Sequence, residues 1–315
     1  MKILLTGSLA IDQIMTFNGL FEKLIQPDKL HILSVSFLVD KLRYTRGGIA
    51  GNIAYSLALL GECPILYASI GKKDKKYISD LSKMGVDISH VHYSKLPTAC
   101  FNVLTDINDC QVGGFFPGAM SDSKKLKINR FKDDDVFVVV SAHDPQQMVK
   151  QIKECLDFKK RLFFDIGQQI LVLSEEELLL GLKAAELLIL NDYEMGVLCK
   201  KTNLSKEKLV RKVKVCVITL GGEGSVVYSK EKNWIPKKIK AIKVKKVIDP
   251  TGAGDCFRAG FLYGYVRGWK LRKSAKLGST LASFTIEKHG TQKHKCGWKD
   301  IKKRYKENYK KDLKI

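Results

Sequence analysis

No run of apolar residues in this 315-residue chain reaches the ~18 that a membrane-spanning helix needs, so none is expected. Proline is sparse, with 7 residues, and no Pro/Gly/Ser-rich stretch, repeat or low-complexity segment divides the chain. Tethered independent domains are therefore not expected, and residues 1–315 read as one domain. No two of the eight cysteines stand at C-x-x-C spacing, which removes zinc-ribbon and thioredoxin-like readings. Cys216, between Val215 and Val217, typifies a reduced, buried thiol, and a cytoplasmic location is expected. His289, His294 and Cys296 cluster in sequence but lack a fourth ligand at a recognisable metal spacing. The start, Met1–Ser8, carries one charge and a short apolar run, and reads as a first strand and not as a secretion signal.

Acidic residues are the other scarcity. Asp and Glu number 33 against 55 Lys and Arg, a formal net charge of +22. Such an imbalance points toward nucleic acid or an anionic membrane. Yet 45% apolar and 28% charged residues describe an ordinary globular protein. The surplus is also local: residues 230–315 hold 25 basic and 7 acidic residues, and residues 1–229 hold 30 and 26. There the basic residues alternate with apolar ones, as in Lys237-Lys238-Ile239-Lys240, Lys243-Val244-Lys245-Lys246 and Lys302-Lys303-Arg304. That is the pattern of solvated faces of strands and a last helix. No specific nucleic acid and no membrane is expected as a partner; nucleic-acid binding is the alternative from another class.

Short runs of Val, Ile and Leu alternate with helical patterns. Strands are expected at Lys2–Leu5, Pro64–Ser69, Asp135–Ser141, Arg161–Asp165, Glu186–Leu190 and Val213–Thr219, and helices at Gly48–Leu60, after the N-cap Asp144, and at Cys256–Gly268. This order argues for a parallel sheet covered on both sides by helices, with ligands at the carboxyl edge of the strands. Two regions, about 13–45 and 92–118, lack helix periodicity and read as strands of a small accessory sheet, a lid inserted in the one domain.

Four motifs carry chemistry. In Asp249-Pro250-Thr251-Gly252-Ala253-Gly254-Asp255, the glycines let backbone N–H groups approach a ligand, and the following helix turns its positive end on the same place. Asp255 beside such an anion cradle is repulsive unless it has a task. Either it caps the helix, or it takes a proton from an attacking hydroxyl while the cradle holds a transferring phosphoryl group. Arg46-Gly47-Gly48-Ile49-Ala50-Gly51-Asn52 is a second glycine turn entering a helix, with Asn52 offering donor and acceptor. Asn191-Asp192-Tyr193-Glu194 follows a strand and offers oxygens suited to Mg²⁺, or equally a helix cap with its capping carboxylate. Thr219-Leu220-Gly221-Gly222-Glu223-Gly224 is a backbone loop suited to nucleotide phosphates. None is a Walker A loop: Gly71-Lys72 lacks the earlier Gly and the following Ser/Thr.

These motifs, in this order and over residues 5–292, resemble the ribokinase/PfkB family of small-molecule kinases. Thr6–Asp12, Ser34–Asp40, Phe116-Pro117-Gly118-Ala119-Met120, Gln168-Gln169 and Phe257-Arg258-Ala259-Gly260-Phe261 resemble in particular its bacterial (mycobacterial-type) adenosine kinase branch. The resemblance implies a ribokinase-like three-layer α/β/α, Rossmann-like fold with a small β lid. It implies an ATP-dependent adenosine kinase that phosphorylates the ribose 5′-hydroxyl, with Asp255 as general base and Gly252, Ala253 and Gly254 as the anion hole. Asp12, Gly48 and Asn52 match positions that hold the ribose hydroxyls. Phe101 and Phe115 match aromatics that sandwich the base, and Ser8, Ser36, Gln111, Gln168 and Gln169 match polar positions around the nucleoside. Asn191, Thr219 through Gly224 and Gly254 match the ATP side, Glu194 the residue linked to Mg²⁺, and Asp249 and Thr251 a K⁺ site found in some relatives. A homodimer through the lid is also implied.

Three residues depart from the pattern: Ile166 where Pro is expected, Gly167 where Ser is expected, and Phe116 where Tyr is expected. All lie on the nucleoside side. A broader nucleoside kinase or a sugar kinase is therefore the alternative within the family.

Overall fold

Alternate residues of single strands serve two different cores, and this sets the architecture. The computed structural model describes residues 1–108 and 110–315. The strands of the first half are β1 (Lys2–Thr6), β2 (Ala10–Phe17), β3 (Val39–Gly47), β4 (Ile65–Tyr67), β5 (Ser69–Gly71), β6 (His92–Ser94), β7 (Cys100–Thr105) and β8 (Gln111–Phe116). Those of the second are β9 (Val136–Ser141), β10 (Arg161–Asp165), β11 (Leu187–Asn191), β12 (Val215–Thr219), β13 (Ser225–Ser229) and β14 (Lys237–Ile239). An eight-stranded sheet runs in the order β14-β13-β12-β11-β10-β9-β1-β4, parallel except for β13 and β14. Ile3, Leu5, Phe137, Val139 and Phe163 pack on one face, against the helices Ile49–Leu59, Ala253–Val266 and Leu271–Thr285. Their neighbours Leu4, Val138, Val140, Leu162 and Phe164 pack on the other, against Pro145–Asp157, Glu175–Ala184 and Asp192–Thr202. A strand buried on both faces must be apolar throughout, and β9 (Val-Phe-Val-Val-Val-Ser) is fully buried.

The expected strands and helices all form, with ends displaced by at most three residues. Asp144 caps its helix as expected, accepting a hydrogen bond from the Gln147 amide. From β1 the chain steps to β4 on one side, then returns to β9 and walks outward to β12. The reversal splays the connections at β1 and β9 and opens a crevice at their carboxyl ends.

A separate four-stranded sheet, in the order β3-β2-β7-β8, stands over that crevice and occupies both regions read as an accessory sheet. The first region also contains a short helix, Phe21–Leu24, and a 3-10 turn, Pro27–Ile32. Four to six residues are too few to display a 3.6 period, and tertiary contacts hold the segment: Phe37 packs edge-on against Phe17 and Phe21 at 5.1 and 5.3 Å. The lysines at 237–246 point outward while Ile239 and Ile242 are buried, as the alternation predicts. No helix among the described residues is long and apolar enough to cross a membrane.

At the amino edge of the sheet, one acid pins four elements. Glu186, just before β11, accepts from Arg161 (2.5 Å), Lys214 (3.1 Å) and Tyr265 (2.8 Å). Burial alone would raise its carboxyl, but these bonds outweigh burial and hold it down at about 2. A depressed carboxyl stabilises the fold above its unfolded pKa and loses that contribution as pH falls toward the folded value. Glu186→Gln is therefore expected to cost about 1–3 kcal/mol at pH 7, and less below pH 4. Urea midpoints of both proteins at pH 7 and at pH 3 measure this; a gap that widens in acid contradicts it.

Candidate active site

The four motifs that carry chemistry arrive at the carboxyl edge of the large sheet. Gly7 and Ser8 follow β1, Asp165 ends β10, Asn191 ends β11 and Thr219 ends β12. Two helices add their positive ends. The Ile49–Leu59 helix starts after Gly48, at φ +85°, where a Cβ would meet the Ser8 carbonyl oxygen at 2.5 Å. The Ala253–Val266 helix starts after Gly252, at φ +78°, where a Cβ would meet Thr291 at 2.9 Å. Only glycine turns so tightly against neighbouring chain. At the first helix the Ile49 and Ala50 amides are taken by the Ser8 hydroxyl and carbonyl, and at the second the Ala253 amide donates to the Pro250 carbonyl, which leaves the Gly254 and Asp255 amides without a partner among the described residues.

Asp255 lies in the first turn of the second helix, and its side chain does not cap it. Oδ2 instead accepts a 2.7 Å hydrogen bond from Asn52 Nδ2. Asn52 is held in that orientation because its own oxygen accepts from Thr291 Oγ1 (2.7 Å) and Gln292 Nε2 (2.9 Å). Gln292 also donates to Tyr77 Oη (2.6 Å), which donates to the Gly47 carbonyl (2.9 Å). The Arg258 guanidinium lies behind Asp255, 3.6 Å from Oδ1. Burial pushes the Asp255 carboxyl above the usual carboxylate range, against the opposing pull of Arg258 and Asn52.

On one side of Asp255 is a cleft of about 270 Å³. Its polar mouth is Thr219, Gly221, Gly222 and Gly224 with Ala253 and Gly254. Its walls are apolar or small, among them Ile242, Phe257, Ser279, Ala282 and Ile286. Leu220 and Glu223 belong to the same turn, in which the Leu220 amide donates to the Gly224 carbonyl at 2.8 Å. On the other side stands the small sheet. Asp12 accepts from the Phe101 amide, and burial pushes its carboxyl up to about 6. Phe101 and Phe115 are directly opposed across β7 and β8. The register places them side by side on one face as a platform, 37% and 50% exposed, and not as two facing walls. Ser8 Oγ accepts from the Ile49 amide at 3.1 Å, at the start of a helix.

Asn191 and Glu194 form the capping box that the sequence allowed: Asn191 Oδ1 accepts from the Glu194 amide (2.7 Å) and Glu194 Oε2 from the Asn191 amide (2.8 Å). Glu194 Oε1 keeps no hydrogen-bond partner among the described residues. Both oxygens of Asp249 accept backbone amides, from Thr251 and Gly290 at 2.9 Å, as an anchored turn does. Gln168 and Gln169 lie on a 3-10 turn directly after Asp165. Ser36 and Gln111 are exposed; Gln111 donates to Thr105 at 3.4 Å, and among the described residues neither side chain hydrogen-bonds to the other site residues. His294 is packed among Cys256, Thr285 and Tyr55, and no group of three metal-ligating side chains exists among the described residues.

Sequence reasoning missed Thr291, Gln292 and Tyr77, which orient Asn52, and the small residues Ser279 and Ala282 of the cleft. Their only signal is a lack of bulk on one helix face, and nothing near them in sequence points to a ligand.

Whole-chain comparisons show which known proteins the chain resembles. The family model for pfkB family carbohydrate kinases matches residues 9–296. The nucleoside kinase of Methanocaldococcus jannaschii, an archaeal member of the ribokinase family, is 32% identical over 96% of both chains, and its solved structure superposes with a TM-score of 0.86. A Burkholderia thailandensis nucleoside kinase in complex with inosine is 29% identical, with a TM-score of 0.87 over 98% of both chains. The same enzyme in complex with ADP-inosine gives 0.84 at 31% identity, over 99% of this chain and 97% of that one. The fold is thus ribokinase-like.

The Asn52 network predicts two stability effects. Asn52→Ala leaves Asp255 Oδ2 without its donor, while Thr291 keeps the Arg46 carbonyl and Gln292 keeps Tyr77, and is expected to cost about 1–3 kcal/mol. Asn52→Asp places a second carboxylate against Asp255; the repulsion is full at pH 8 and is relieved as pH falls and one of the pair protonates. Urea midpoints of wild type and both variants at pH 8 and pH 5.5 check this. An Asn52→Asp deficit that does not shrink in acid refutes the geometry.

Proposed function

The chain belongs to the pfkB family of carbohydrate kinases, phosphotransferases acting on hydroxyl groups, and from that premise we propose that it is an ATP-dependent nucleoside kinase. It transfers the γ-phosphoryl group of ATP to the ribose 5′-hydroxyl, with adenosine as the expected acceptor and AMP and ADP as products. One observation carries this reading: a part-buried carboxylate released from helix capping, Asp255, sits between a nucleotide-sized cleft and an aromatic platform.

In this reading Asp255 takes the proton of the 5′-hydroxyl as the oxygen attacks the γ-phosphorus in line, and ADP leaves into the cleft. The amides of Gly252, Ala253 and Gly254 stabilise the charge on the transferring oxygens. Asp12, Gly48 and Asn52 face the ribose hydroxyls, and Phe101 with Phe115 supplies the stacking surface for the base. Ser8, Gln168 and Gln169 border the nucleoside; Ser36 and Gln111 reach it only when the small sheet closes as a lid and excludes water. Asn191 and the turn Thr219–Gly224 hold ATP.

The free Oε1 of Glu194 fits a link to Mg²⁺ through water; the ion supplies neutralisation of phosphate charge when bound. For K⁺ the fit is partial. Asp249 accepts one backbone amide on each oxygen, which anchors the turn and leaves a lone pair on each for a cation, while Thr251 is exposed. The inosine complex of the Burkholderia enzyme supports a purine acceptor. The reaction is assigned to the cytoplasm, where the eight free cysteines would stay reduced.

Asp255→Asn is expected to lower kcat by about 10²–10⁴-fold while the nucleoside Kd changes less than about threefold. Near-normal turnover in that variant overturns the base assignment. ADP release with adenosine, inosine, guanosine, cytidine, ribose and fructose 6-phosphate ranks acceptors: nucleosides should exceed ribose, because free sugar gains nothing from the platform. Faster turnover of ribose would identify a sugar kinase. The exposed apolar residues of the small sheet, Leu42, Tyr44 and Val112, suit pairing of two lids into a homodimer. Light scattering at micromolar concentration is expected to give twice the chain mass, and a monomer refutes this.

A further inference from the structure

One buried cation faces three acids, and the catalytic reading leaves it without a task. Arg258 is 8% exposed and lies one helical turn after Asp255. Its Nη1 is 3.6 Å from Asp255 Oδ1, its Nη2 3.9 Å from Glu194 Oε2, and its Nε 2.8 Å from Asp165 Oδ1. The three acids come from three elements: the end of β10, the first turn of the Asp192–Thr202 helix, and the first turn of Arg258's own helix. Asp165 is the close partner, an ion pair at 2.8 Å, while the distances to Asp255 and Glu194 exceed a hydrogen bond. Asp165 is fully buried, its other oxygen accepting from Ser141 Oγ at 2.8 Å. Room for the guanidinium comes from Gly254, where a Cβ would lie 2.8 Å from Nη1.

A buried guanidinium left short of bonds costs stability, and one shared by three carboxylates balances only one of their charges. We propose that Arg258 is a positioning residue, a shared counter-ion that holds Asp255 charged and turned toward Asn52, with Asp165 as the competing anion that limits its hold. The proposal rests on Asp255 acting as the base. Asp165 draws Arg258 by Nε, at the root of the fork, and leaves the Nη groups for Asp255 and Glu194. The arrangement couples the base to the Asn191–Glu194 turn on the nucleotide side through one rigid plane of nitrogens.

The ionisable groups around Asp255 are Arg258 and Cys256 on its own helix, Asp165 from β10, Glu194 from the Asp192–Thr202 helix and Tyr77 from the Lys75–Lys83 helix. Among these Arg258 is the one cation, so the two partners act on Asp255 with opposite sign. Removing Arg258 takes away a positive neighbour and makes Asp255 harder to ionise. Removing the charge of Asp165 takes away a negative neighbour and frees Arg258 for Asp255, which makes ionisation easier.

The test is the acidic limb of kcat/KM against pH, from pH 5 to 9, for wild type, Arg258→Met, Arg258→Lys and Asp165→Asn, with thermal melts alongside. Arg258→Met should move the limb up by about one pH unit, with kcat at pH 7 down about 10–100-fold and nucleoside KM nearly unchanged. Asp165→Asn should move it down. Arg258→Lys, which keeps the charge without the fork, should leave the limb near the wild-type position with an intermediate kcat. General damage to the fold cannot move the limb in opposite directions. Shifts of the same sign, or no shift in either variant, overturn the proposal. If Arg258→Met does not fold, the Asp165→Asn shift and the Arg258→Lys limb decide, and a limb that Asp165→Asn leaves in place refutes it. Failure of the base assignment reads differently: Asp255→Asn then turns over and no variant's limb tracks these charges.

Discussion

The hydrogen bond from Asn52 to Asp255 joins two helices whose residues lie 203 positions apart in the chain. One helix follows β3 and the other follows β14, and both begin on a left-handed glycine. Each helix turns its positive end toward one point at the edge of the sheet, a place where a carboxylate is attracted electrostatically but stripped of water. The amide, the guanidinium behind it and the Thr291–Gln292 clasp replace that lost hydration. The fold's task is to bring these three supports together, and the reversal of strand order at β1 and β9 is what leaves the gap in which they meet.

This gives the charge of the molecule two scales. Globally the chain is strongly basic, yet its lysines lie on outer faces and few are paired. Locally the crevice is acidic, with Asp165, Glu194 and Asp255 gathered around one buried arginine and Asp12 on the small sheet. An acidic crevice in a basic body suits a ligand that brings its own negative phosphates with a metal ion. The body attracts the anion through water over a Debye length of about 10 Å, and the amides and metal hold it at contact. The surplus of residues 230–315 is thus compatible with a small polyphosphate partner and needs no polynucleotide.

The layered sheet was readable from strand runs that are apolar without alternation, because burial on both faces leaves no other composition for β9 or β11. Asp255, Asn52 and the glycine turns were readable because tight turns and charged groups beside them have few residue choices. What the sequence hid is of another kind. Thr291 and Gln292 orient Asn52 from 239 and 240 residues away, a relation that no local pattern encodes. Whether Asp255 caps its helix or faces the crevice is decided by side-chain direction, and both outcomes share one sequence. The same holds for Phe101 and Phe115: their spacing is compatible with a sandwich, and only the pairing register of β7 with β8 sets them on one face.

The departures on the nucleoside side also gain a physical account. Gly167 sits at φ +52°, and a Cβ there would stand 3.0 Å from the Ala142 Cβ, so a serine would be strained as well as crowded. Ile166 before it is helical and fully buried in the second core, contributing packing where a proline would contribute rigidity. The two changes belong together. Once residue 166 is anchored by its side chain, the chain must turn left-handed to leave β10, and glycine alone turns there without strain. The turn then carries Gln168 and Gln169 just beyond the end of β10. In the proposed reading these amides and the aromatic pair on one face of the small sheet are the groups that would border a base. A site with one stacking face and flexible amide partners discriminates among bases less than a closed slot does, because fewer buried polar groups are left unpaired by the wrong base.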